Sequence, residues 1–279
     1  MGAGSVSRHH KTQALIETAA AILAEHHPMT LRQVFYRLVS RQVIENSRGA
    51  YQACSKALVA ARREGLIPWE RIEDRLRQPR QVAMWDGLGH FADTAAAAYR
   101  RNIWAEQPMR LEIWLEKDAL SGIFADALAP YGVTLNVGRG FDGWSSIHDA
   151  AGRLGDDDAI LYFGDFDPSG EDMVRSLRER LASLGARPAL VKCALTFDDV
   201  QRYALPPDLT KAGDTRSKAF VARYGDIAVE LDALPLDVLR DRIIAEIENR
   251  MDLAALDRVR RRERAERRQL AEALAELGS

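Results

Sequence analysis

Between residues 110 and 195, short apolar runs alternate with helical ones, and this alternation constrains the fold more than anything else in the chain. RLEIWLE (110–116), VTLNVG (133–138), DAILYFGD (158–165) and PALVKCAL (188–195) read as strands. The intervening KDALSGIFADAL, SSIHDAAGRL and SGEDMVRSLRERLASLG read as helices. Strands joined by helical crossovers pair in parallel and form a doubly wound α/β sheet. All strands then end on one edge, and ligands of such sheets sit beyond it.

Acidic residues occupy that edge. Glu116 ends the first strand of this unit, and Asp165 and Asp167 end the third in FGDFDPSG. Residues two apart in extended chain point to one side, so the two aspartates can converge. If the first and third strands are neighbours, Glu116 joins them. Three unpaired carboxylates in one place repel and raise a pKa. A hard divalent cation removes the repulsion, and Mg²⁺ bridging carboxylates to a phosphodiester is the expected occupant. Asp167, just before PSGEDM, also reads as a helix N-cap.

Ahead of the sheet, the chain reads as helices. The first spans roughly Lys11 to Glu25, Thr30 caps a second, and AYQACSKALVAARREG forms a third that Gly65 stops. The extended basic piece LIPWERIEDRLRQPR follows. Three short helices and an extended basic segment form the pattern of a winged helix-turn-helix, which would turn Lys56, Arg62 and Arg63 toward DNA. Charge supports that division. Residues 1–110 carry 16 Lys and Arg against 10 Asp and Glu, whereas the remainder carries 23 against 31. A basic front half on an acidic back half suits a DNA-contacting module joined to a metal-binding one.

The expected domains are therefore 1–105, a helical DNA-binding unit with a linking helix; 106–200, the α/β sheet; and 201–279, an extension ending in a charged helix. With 279 residues the chain can bury more than one core. No apolar run approaches the roughly 18–20 residues that cross a bilayer. The N-terminus MGAGSVSRHHKTQ has no apolar signal region. Cys54 and Cys193 have no metal-ligand spacing. These features lead us to expect a cytoplasmic protein with reduced thiols and no membrane partner.

The series IWLEKDAL, NVGRGFDGWSS and LYFGDFDPSGEDM resembles the Toprim domain. With a winged helix upstream, the D-x-D-P-x-G form is most similar to the A subunit of topoisomerase VI and its Spo11 relatives. The resemblance spans roughly residues 28–250. It implies Glu116, Asp165 and Asp167 as Mg²⁺ ligands, and Tyr36 in LRQVFYRLV as a nucleophile that attacks a phosphodiester. Arg32 and Arg37 would hold the phosphate or lower the phenol pKa, with Lys117 and Arg139 as further DNA contacts and Glu230 in VELDAL assisting the site. Tyr36 reads as lying beside, not on, the apolar face of its helix. GRGFDG (138–143) matches the family's Gly-rich loop but lacks its Pro-Asp.

What the resemblance implies is Mg²⁺-dependent double-strand cleavage of DNA by a compact homodimer, the metal coming from the other subunit. Strand passage would need a separate ATPase, because this chain has no phosphate-cradling G-x-x-x-x-G-K-(S/T) loop. Two other functions fit the same residues: a hydrolytic Toprim nuclease, with Tyr36 structural, and a DNA-binding regulator with an inactive Toprim domain.

Overall fold

A computed structural model describes residues 3–73, 82–138, 143–207 and 217–275. Helix α1 (Ala3–Glu25) leads to the two-residue strand β1 (Met29–Thr30), α2 (Leu31–Ser40) and α3 (Arg48–Arg63). Strand β2 (Ile72–Glu73) then pairs in parallel with β1. Helix α4 (Leu88–Ala98) links to the sheet. The wing expected after α3 falls partly on residues 74–81, outside the described residues. Helix α1 starts eight residues before the expected Lys11, and α3 starts at Arg48, where Ser47 Oγ accepts the Ala50 N–H at 3.2 Å as an N-cap.

The sheet is as the alternation predicts. Strands β3 (Leu111–Leu115), β4 (Thr134–Val137), β5 (Ala159–Phe163) and β6 (Ala189–Ala194) are all parallel, in the order β4-β3-β5-β6. Helices α5 (Ser121–Leu128), α6 (Trp144–Arg153) and α7 (Pro168–Ser183) cross between them. Beyond lie α8 (Phe197–Arg202), α9 (Ser217–Tyr224), α10 (Leu236–Glu248) and the charged α11 (Leu253–Ala275).

Alternation of side chains along β3 and β5 gives each face its own core. Leu111, Ile113, Leu115, Leu161 and Phe163 pack with α5 and α10. Trp114, Ile160 and Tyr162 pack with α6 and α7. A third core gathers α1, α2 and α3 around Ile22, Leu38 and Leu58. Leu236 packs against both this core and that of the sheet, at the point where α10 begins. None of the described helices is long and apolar enough to cross a membrane.

Candidate functional site

Strands β3 and β5 are adjacent, with Leu115 opposite Phe163. Glu116 therefore emerges beside the start of the acidic turn, its N–H donating to the Phe163 carbonyl at 2.9 Å. Its Oε2 accepts the Asp165 N–H at 2.9 Å and the Tyr162 hydroxyl at 3.4 Å. Two glycines permit this closeness. A Cβ on Gly164 would land inside van der Waals distance of Glu116 Oε2 and the Tyr162 ring, and one on Gly170 would strike the Asp165 carbonyl. Strand β5 ends at Phe163, two residues short of the expected Asp165: Gly164 still exchanges backbone hydrogen bonds with Ala194 and Leu195, but the Asp165 N–H bonds the Glu116 side chain in place of a neighbouring strand. Asp167 is the N-cap of α7, its Oδ1 accepting the Gly170 N–H at 2.6 Å.

A distant segment completes the edge. Phe166 and Val229 exchange two backbone hydrogen bonds of 2.9 Å, which bring residues 230–232 beside the acidic turn. The Leu231 N–H donates to Asp165 Oδ1 at 2.7 Å. Lys117 forms the centre of the cluster. Its Nζ lies 2.7 Å from Glu230 Oε2, 3.3 Å from Asp165 Oδ1 and 3.7 Å from Asp232 Oδ1. Lys192 Nζ approaches from β6, donating to the Asp165 carbonyl at 3.0 Å and to Glu171 Oε1 at 2.6 Å. The Asp232 side chain is fully buried. It faces Arg32 Nε at 3.1 Å as an ion pair, yet neither of its oxygens closes a hydrogen bond.

Helix α2 enters this cluster from the N-terminal core. Thr30 and Gln33 form a capping box, which fixes where the helix starts. Arg32 and Tyr36 are one turn apart and share a face. The Tyr36 hydroxyl donates to Glu230 Oε2 at 2.8 Å, and Arg32 Nη2 bonds the same oxygen. Tyr36 is not beside the apolar face as expected. It is 7% exposed, within the core, edge-on to Phe35 at 5.3 Å, and only its hydroxyl reaches the polar cluster. An aromatic body with a polar tip can serve both surroundings at once. Next to it opens a cleft of about 280 Å³, lined by Tyr36, Arg32, Asn46, Arg48, Tyr51 and Glu230 among others.

These contacts set the charge states. Burial and the Glu230 carboxylate push the Tyr36 phenol well above its ordinary value, and Arg32 offsets this only in part. Burial works against ionisation of Glu230, but Lys117 and Arg32 outweigh it and hold the carboxyl down at about 2. Burial, with Glu116 nearby, pushes Asp165 up to about 7 despite Lys117. Burial and the Asp167 charge raise Glu116 as well. Lys117 is held above the usual lysine value: its burial disfavours the charge, but Asp232, Asp165 and Glu230 more than compensate.

The other expected DNA contacts lie elsewhere. Lys56 and Arg63 are exposed on α3. Arg62 is bound to its own chain, donating to the carbonyls of Trp69 and Ile72 at 2.8 and 3.1 Å with its guanidinium over the Trp69 ring. Arg37 pairs with Asp237 of α10 at 3.3 Å, away from the Tyr36 hydroxyl. Arg139 lies outside the described residues, as does most of the Gly-rich loop. No family model and no curated protein matches the chain. Sequence reasoning missed Asp232 and the central place of Lys117. The signal for Asp232 is its spacing of two from Glu230 in VELDAL.

The donor set suits Mg²⁺ in kind. Glu116, Asp165 and Asp167 are hard oxygen donors, and two of them are pushed toward protonation by burial and by neighbouring carboxylates. Each spends one oxygen on the backbone, leaving Glu116 Oε1, Asp165 Oδ2 and Asp167 Oδ2 outside those bonds. Among the described residues, no three His, Cys, Asp or Glu side chains are yet gathered on one point. Glu116, Asp165 and Asp167 are the residues that would hold such an ion.

Proposed function

We propose that this chain cleaves both strands of DNA as a homodimer, in the manner of the topoisomerase VI A subunit, with Tyr36 as nucleophile and Glu116, Asp165 and Asp167 holding Mg²⁺. The observation that carries the reading is the placement of the Tyr36 hydroxyl, on Glu230 and beside Arg32, at the edge where these carboxylates emerge. Bound there, Mg²⁺ would supply positive charge to the oxygens of the scissile phosphate. The chain's own groups do the rest. Arg32 and Lys117 are drawn toward the incoming phosphate. Once they leave Glu230, its carboxylate regains basicity and takes the phenol proton it already accepts as a hydrogen bond. The Tyr36 oxygen then bonds to phosphorus as the bond from phosphorus to the sugar oxygen breaks, and the departing sugar oxygen takes a proton from solvent water to leave as a hydroxyl.

A hydrolytic Toprim nuclease is the second reading. It is favoured by the burial of Tyr36 and the raised pKa of its phenol, which hold the hydroxyl as a neutral donor. Incubating supercoiled plasmid with protein and Mg²⁺, stopping with SDS and comparing samples with and without proteinase K separates the two. Protein-linked breaks that vanish in Tyr36→Phe and in Asp167→Ala are the expected result. Protein-free breaks that survive Tyr36→Phe but not Asp167→Ala would establish the nuclease instead.

A further inference from the structure

A second cleft, of about 580 Å³, lies at the amino-terminal edge of the sheet, opposite the carboxylates. Residues 100–104 ahead of β3, the 129–132 turn ahead of β4 and one side of α11 wall it. Arg260, Glu263, Arg264 and Arg267 recur at spacings of three and four, so one face of α11 presents them together. Arg100 and Arg101 lie across from them, and the lining thus holds five guanidinium groups and one carboxylate.

The nearby carboxylates are already engaged. Glu263 accepts the Arg101 N–H and Arg267 Nη2, both at 2.8 Å. Glu266 pairs with Arg101 and accepts the Tyr99 hydroxyl at 2.7 Å. Arg100 donates to the carbonyls of Ala97 and Tyr99 at 2.7 and 2.8 Å. Arg260 donates to the Pro130 carbonyl at 2.9 Å, and Arg264 is exposed. Among the described residues, Arg100, Arg260 and Arg264 thus share a concavity without an ion-pair partner, an arrangement whose repulsion an anion relieves. Guanidinium forks match phosphate oxygens two at a time. Ile103 and Trp104 add an apolar wall, with Trp104 Nε1 anchored on the carbonyls of Tyr131 and Gly132 at 3.0 and 2.9 Å.

We propose that this cleft binds a compact polyphosphate of the nucleoside di- or triphosphate class. Its volume falls within the roughly 300–1,000 Å³ of small-molecule sites. Walls on three sides suit a compact polyanion, whereas a nucleic-acid backbone needs an extended strip. The length of β3, about 16 Å at roughly 3.3 Å per residue, separates the cleft from the edge that carries Glu116. A ligand here therefore acts apart from the cleavage chemistry.

Calorimetric titration of the whole chain with sodium tripolyphosphate and with ATP tests the proposal. One-to-one binding is expected, weakened about tenfold or more by Arg264→Glu and by Arg100→Ala. Arg41→Glu, on a distant exposed arginine, should leave it unchanged. Arg264 is exposed and makes no hydrogen bond or ion pair among the described residues, so its variant keeps the test valid if Arg100→Ala fails to fold. Absence of binding by both probes, or affinity unchanged in Arg264→Glu, would overturn the proposal. So would displacement of tripolyphosphate by a short single-stranded oligonucleotide at equal phosphate concentration, which would make the cleft a nucleic-acid track.

Discussion

Glu230 accepts hydrogen bonds from Tyr36, Arg32 and Lys117 at a single oxygen, Oε2. A carboxylate held at about 2 by two cations is a poor base, and its charge in turn keeps the Tyr36 phenol from ionising. The two effects oppose one another, and the side-chain charge of Glu230 is what couples them. In Glu230→Gln the amide oxygen still accepts from Tyr36, but the negative charge is gone while Arg32 remains. The Tyr36 phenol should then titrate at lower pH. The absorbance difference between Glu230→Gln and the double variant Glu230→Gln/Tyr36→Phe reads that pKa, and an unchanged or higher value would remove Glu230 from the account. Gly164 makes a second case. A methyl group there collides with Glu116 and Tyr162 at the end of a packed strand. We expect Gly164→Ala to cost about 1–3 kcal/mol in denaturant unfolding, typical of overpacking, and to abolish any stabilisation by Mg²⁺.

At the scale of elements, the acidic edge depends on clamps that hold the later helices against the sheet. Arg242 of α10 reaches Asp199 of α8 at 2.7 Å and the Cys193 carbonyl of β6 at 3.1 Å. Burial alone would raise the Asp199 carboxyl. The hydrogen bonds from Arg242 and Thr196 outweigh it and hold the group below its usual value. A folded-state pKa below the unfolded one means stability that is present above the unfolded value, near 3.8, and lost as pH falls through the folded one. Asp199→Asn should therefore cost about 2 kcal/mol near neutral pH, with the gap to the native chain closing below the ordinary aspartate range. Denaturant melts of both proteins across that range check it; a gap independent of pH would mean the charge is immaterial. The elements themselves were legible. Runs such as AILYF and LEIWL carry the parallel sheet in their composition, and Thr30 marks the start of α2. The end of β5 was misjudged by two residues because the periodicity of a strand does not register that the Asp165 N–H bonds the Glu116 side chain in place of a neighbouring strand.

At the scale of the molecule, the site exists only where α2, β3, the turn after β5 and residues 229–232 meet. Local pattern reveals each piece but not their meeting. Glu116 beside Asp165 was inferable because a parallel sheet places all strand ends together. Asp232 had a local signal only in its spacing of two from Glu230; its meeting with Lys117, 115 residues away, was not inferable, because nothing local ties the two. Arg62 and Arg37 illustrate the converse: basic residues that look free in sequence are spent on a backbone turn and on Asp237. The family resemblance implies that the metal ligands act on the tyrosine of the other subunit. In this chain Tyr36 already touches Glu230 of its own chain, and Arg32 touches Asp232. If cleavage uses that same-chain pairing, mixing Tyr36→Phe with Glu116→Ala restores nothing. Each mixed dimer then has one site without a nucleophile and one without a ligand. If the pairing is across subunits, the mixed dimer holds one complete site, with Tyr36 from the Glu116→Ala chain and Glu116 from the Tyr36→Phe chain, and nicks one strand. We expect no nicking by refolded mixtures of the two variants on supercoiled plasmid, beside a refolded wild-type control that cuts. Nicked circles carrying covalent protein would instead show that the contact between Tyr36 and Glu230 belongs to a resting arrangement, exchanged for the partner's site when DNA binds.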